Sequence, residues 1–160
     1  MKFIQARQDQ LFFEIGRRER SLLGEILQLY PLVSPAHHRL SKTAAAGQLK
    51  EHQRLLEESL AAQRAENRKN VRAMLDEPGR FRTAPPGFRL KITRTETEWL
   101  LQVLNDVRVG SWIALGSPDT EAGEKIPLNE QTSPYIRSME IAGAFEAVFL
   151  DALTGRTPME

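Results

Sequence analysis

A chain of 160 residues is long enough to bury a substantial core, and with 41% hydrophobic and 27% charged residues it has a globular rather than a disordered composition. It has no cysteine, which excludes a disulfide framework, a thiolate metal site and a thiol nucleophile. The net charge is only +1 but is unevenly spread: residues 1–63 carry +2, residues 64–94 carry +6 and residues 95–160 carry −7.

The opening residues, MKFIQARQDQ, show no long apolar run behind the first charge, so no signal peptide is expected. No segment approaches the roughly 20 apolar residues of a membrane span. The expectation is a cytoplasmic, bacterial-type protein that meets no membrane. Met1–Ala6 and Leu11–Ile15 are short apolar runs separated by Arg7-Gln-Asp-Gln10, which predicts a hairpin with Leu11, Phe13 and Ile15 on one face. Arg17–Val33 follows as a helix with Leu22, Leu23, Ile26, Leu27 and Tyr30 on its apolar stripe, ended or kinked by Pro31. Ser34-Pro35 begins a connecting turn. From about Ala44 to Asp76 the absence of proline predicts a long helix, near 50 Å at the standard rise of about 1.5 Å per residue. Its apolar seam, Leu49, Leu56, Leu60, Val71 and Leu75, is narrow, so it needs a neighbour or a second copy of itself.

Residues 77–87 contain Pro78, Gly79, Pro85, Pro86 and Gly87 and read as a stiff loop. Phe88, Leu90 and Ile92 alternate with Arg89 and Lys91 as a half-buried strand. Thr93-Arg-Thr-Glu96 is a capping box opening a helix to about Leu115. Residues 116–133 form a long acidic loop, with Asp119, Glu121, Glu124 and Glu130 against Lys125. Ser133-Pro134 starts a last helix, Tyr135–Leu153, apolar round most of its circumference and stopped by Gly155 and Pro158. These elements make one α+β, predominantly helical domain over 1–160. It has a small sheet, a hairpin plus one later strand, packed with about four helices, one of them long.

The segment Phe13–Leu27 laid over Leu90–Leu104 matches apolar with apolar: Ile15 on Ile92, Leu23 on Leu100, Ile26 on Val103, Leu27 on Leu104. Arg17 falls on Arg94 and Glu19 on Glu96. Two strand–helix units in equivalent phase indicate a duplication or two uses of one local solution, and both strands should join one sheet.

The segment Glu98-Trp-Leu-Leu-Gln-Val-Leu-Asn-Asp-Val-Arg108, of pattern E-x-W-L-x-x-L-N-D-x-R, resembles an uncharacterised, largely actinobacterial domain-of-unknown-function family. Ile15–Leu27 and Gly116–Glu124 match it more loosely. The last helix departs from its aromatic-rich pattern with Ala142-Gly-Ala-Phe-Glu-Ala-Val-Phe149. The resemblance implies no particular activity. Genes of that family often lie near the Clp protease adaptor, which points toward proteostasis.

On the helix after Thr93, Asn105, Arg108 and Trp112 share a stripe at the edge of the core, and Asp106 should face water. Arg108 is expected as a partly buried fork paired with Glu140 or Glu146, with Asn105 capping loop backbone; alternatively the stripe is a pocket for a small anionic ligand. Arg64, Arg68, Lys69 and Arg72 share a face of the long helix, a possible basic surface without an interleaved aromatic residue. His37, His38 and His52 do not converge, so no metal site is expected. No serine-elbow or phosphate-loop motif occurs, and neither catalytic residues nor a cofactor are expected. The leading expectation is a non-enzymatic protein-interaction or regulatory module, homodimeric through the long helix. The alternative is a nucleic-acid-associated regulator using the basic segment 64–94.

Overall fold

The computed structural model describes residues 1–34 and 47–155. Strands β1 (Lys2–Arg7) and β2 (Gln10–Ile15) form the expected hairpin, followed by helix α1 (Arg17–Gln28). Helix α2 (Gly47–Asp76) has 30 residues, and strands β3 (Phe81–Ala84) and β4 (Gly87–Thr93) lead into helix α3 (Arg94–Ala114). Helix α4 (Ser133–Thr154) closes the described chain, with Gly155 in the left-handed conformation that ends it. The sheet is antiparallel, in the order β1-β2-β4-β3, and the fold is α+β and predominantly helical.

Three sequence expectations need correction. The sheet has four strands rather than three, because β3 lies inside the stretch read as a proline–glycine loop. Pro85 and Pro86 fill the two-residue hairpin turn between Ala84 and Gly87, where missing amide donors do no harm. Helix α1 stops at Gln28, short of Val33, since a residue before proline is disfavoured in helix and the Leu32 and Val33 amides bond to Asp106 instead. Helix α4 is buried along one face only, through Ala142, Phe145, Glu146, Phe149 and Ala152, while Leu150 stands exposed. The predicted Ser34-Pro35 turn and the start of the long helix at Ala44 fall on residues outside the described set.

One face of the sheet presents Leu11, Phe13, Ile15, Leu90 and Ile92, all buried beneath the helices. Phe149 of α4 meets Phe13 edge-on at 5.3 Å between ring centroids. Gly87 lets β4 approach β2: a Cβ there would come within 2.4 Å of the Ile15 carbonyl.

The repeat seen in the sequence is reproduced in the hydrogen bonding. A step of 77 residues carries Phe13 onto Leu90, and these two residues are themselves partners across the β2–β4 seam. The neighbouring pairs Phe12–Lys91 and Glu14–Arg89 exchange under the same step, so a local two-fold axis passes through the Phe13–Leu90 pair. The outer hairpins obey it as well. Ala6–Leu11 and Arg7–Gln10 map onto Thr83–Phe88 and Ala84–Gly87. Helices α1 and α3 begin 77 residues apart, and in each the third helical residue, Glu19 or Glu96, accepts a 2.8 Å hydrogen bond from the amide of the residue preceding the helix. The equivalence breaks after these helices: α4 packs along α3 into the core, whereas α2 touches α1 and α3 mainly through its C-terminal half.

Candidate functional site

The polar residues in α3 divide into two groups with opposite surroundings. Asp106, expected to face water, points inward. Its Oδ1 accepts from the Leu32 amide at 2.7 Å and the Val33 amide at 3.4 Å, and its Oδ2 lies 3.8 Å from Arg64 Nη2. Arg64 also donates to the Val33 carbonyl. An acid on α3 and a base on α2 therefore clasp the backbone that leaves α1. Gly110, one turn beyond Asp106, makes room for that backbone, since a Cβ there would meet Leu32 Cβ at 2.4 Å.

Arg108 faces the other way. Its side chain is 47% exposed, more open than the partly buried fork expected, because α3 presents this position beside the surface of α4. Its Nη1 lies 3.4 Å from Glu146, one of the two acids foreseen as its partner, and its Nη2 donates to Asn105 Oδ1 at 3.2 Å. Asn105 is exposed and receives this bond instead of capping a loop. Trp112 donates from its indole nitrogen to the Pro118 carbonyl at 3.1 Å, fastening the following loop to the end of α3. Burial raises the Glu146 carboxyl above its ordinary pKa, and the nearby Arg108 charge offsets this only in part. Its Oε1 is buried without a hydrogen-bond partner among the described residues.

The basic segment 64–94 does not form one surface. Arg64 is committed to the clasp, so the solvated four-residue face expected on α2 is reduced to Arg68, Lys69 and Arg72. These three line a groove of about 720 Å³ against Pro31–Ser34, with Ala61 and Ala65 also in its wall. Arg80 is buried too. It donates to both carboxylate oxygens of Glu96 at 2.7 Å, to the Lys91 carbonyl at 2.9 Å and to Glu77. Burial alone would raise the Glu96 carboxyl, but the Arg80 guanidinium and the Thr93 amide outweigh it and hold the pKa below its ordinary value. Of the remaining cations, Arg82, Arg89 and Lys91 stand on the open face of the sheet, and Arg94 is the first residue of α3. His37 and His38 lie outside the described residues, and among the described ones no three metal-ligating side chains converge.

The loop of residues 115–132 is exposed but internally bonded. The Asp119 amide donates to Glu124, the Ala122 amide to the Asp119 carboxylate, and the Glu124 amide to the Asp119 carbonyl. A second knot joins Asn129 to Gln131 and Thr132. Leu128 between the two knots is 79% exposed.

Set against family models, curated proteins and solved structures, the chain matches none. Among the described residues no helix is long and apolar enough to cross a membrane.

Proposed function

We propose that this chain is a non-enzymatic protein-interaction or regulatory module that pairs with a second copy through α2 and meets a further partner on the loop between α3 and α4. The exposed apolar residues of these two elements carry the reading. Leu55 on α2 is 50% exposed, and no residue described between Gln48 and Gln63 is buried. A two-stranded contact with another α2 would cover Leu55, Leu56 and Leu60. At the loop Leu128 is exposed, and the helices it joins expose Trp112 and Tyr135. The same loop carries Asp119, Glu121, Glu124 and Glu130 against the single base Lys125, so the complementary partner is basic with an apolar anchor. The resemblance carried by Glu98–Arg108 makes proteostasis the pathway in which to seek that partner. Light scattering over a concentration series tests the pairing. The wild type should approach twice the chain mass while Leu55→Glu/Leu60→Glu stays at one, and a wild-type monomer at several hundred micromolar would overturn it.

A further inference from the structure

We propose that the open face of the sheet binds single-stranded nucleic acid. This surface is separate from those assigned above, and its observations do not depend on them. In each strand the residues opposite to the core point outward: Gln5 and Arg7 from β1, Gln10 and Phe12 from β2, Arg89 and Lys91 from β4, and Arg82 from β3. Arg7, Arg82, Arg89 and Lys91 are all exposed, and none makes an ion pair with a described residue. The Glu77–Arg80 turn walls one side, and together they enclose a hollow of about 700 Å³.

Two features point to a ligand rather than to a solvated surface. Arg82 and Arg89 sit directly opposite each other in the β3–β4 ladder, where like charges are destabilising unless an anion lies between them. Phe12 stands between Gln5 and Lys91 in the central rows, an aromatic ring on a polar face where packing does not require one. The two-fold axis relates Phe12 to Arg89 and Gln5 to Arg82, so in each half the cross-strand pair occupies the same place. The halves differ in chemistry, one offering a ring and an amide, the other two guanidinium groups.

This array matches the requirements of a nucleotide strand: cations for phosphates, a ring for a base, and the amides of Gln5 and Gln10 for base edges. The cations run from β1 to β3, about 14 Å at the usual strand spacing, too far apart to serve one nucleotide. A duplex would leave Phe12 without a base to stack on, because its bases are already stacked. An acidic peptide would use the cations and leave the ring and amides idle. The one carboxylate lining the hollow, Glu77, is bonded to Arg80, and Glu14, which lies between Lys2 and Arg89 in the strand ladder, lines a neighbouring hollow instead.

Fluorescence anisotropy with labelled dT12 and U12 tests this in the full chain. With four phosphate contacts the single-strand salt slope is about −2.8, so affinity should fall about 50-fold between 50 and 200 mM salt. Arg82→Ala/Arg89→Ala should halve that slope. Phe12→Ala should weaken binding about 5- to 100-fold at an unchanged slope, and Phe12→Leu, which keeps apolar bulk on the strand, should weaken it similarly. Arg68→Ala/Arg72→Ala on α2 should leave the affinity within twofold. No binding at 50 mM salt overturns the proposal. So does loss of binding only in the α2 variant, equal affinity for a 12-base-pair duplex or a glutamate dodecapeptide, or indifference to Phe12.

Discussion

Asp106 ties α3 both to the backbone leaving α1 and to Arg64 of α2. Asp106→Ala would leave the Leu32 and Val33 amides without their acceptor and Arg64 nearly buried without a counter-charge. The expected cost is about 3 kcal/mol in urea unfolding, with Asp106→Asn, which keeps one acceptor oxygen, losing about 1–2 kcal/mol. This clasp was not legible in the sequence, because Arg64 reads as one member of a basic helical stripe and its partners lie 31 and 42 positions away. By contrast Glu146 was foreseen beside Arg108, since both stripes follow from helical spacing. The raised pKa of Glu146 has a definite sign. The folded protein holds a proton that the unfolded chain has already released, so this group's contribution to stability is full below the ordinary carboxyl pKa, near 4, and is lost as pH rises through the raised value. Glu146→Gln should therefore melt with the wild type near pH 4 and above it at pH 7. Arg108→Ala should do the reverse at pH 7, falling below the wild type, and should match it near pH 4. Thermal melts at the two values measure both, and a wild-type advantage over Glu146→Gln at pH 7 would show that the ion pair outweighs burial.

At the level of elements, what is periodic was readable and what depends on distant pairing was not. The cap Thr93-Glu96 and the apolar spacing beyond it place α3 within a residue or two, because both signals are local. Strand β3 escaped notice because Phe81–Ala84 is too short to show alternation and gains its place only by pairing with β4. The open sheet face was equally hidden, as Phe12 and Lys91 become neighbours only across the β2–β4 seam. The loop between α3 and α4 shows a middle case: its acids and prolines announce exposure, but not the side-chain bonds that tie it. Amides of Asp119, Ala122, Gly123 and Glu124 all donate, yet they lie at the surface with few apolar contacts. Exchange measured by mass spectrometry should be complete across 118–125 within minutes, while 100–107 of α3 stays protected for hours. Slow exchange in the loop would show it already packed and would remove it as a partner-facing element.

Across the whole molecule, the twofold relation between the halves fixes the order in which the sheet can be completed. The seam joins residues near Phe13 to residues near Leu90, so most of the chain must be present before β2 finds its second neighbour. At translation rates of about 5–20 residues per second, 77 residues correspond to about 4–15 s. Throughout that interval one edge of Gln-Leu-Phe-Phe-Glu-Ile is an unpaired strand, apolar on one face and without proline, while its other edge is already held by β1. The long intervening helix can form early because its contacts are local, but it cannot cover that edge. Synthesis of this chain thus carries a window of self-association risk that closes only when β4 emerges, and a nascent chain paused within α2 is the species most exposed to it.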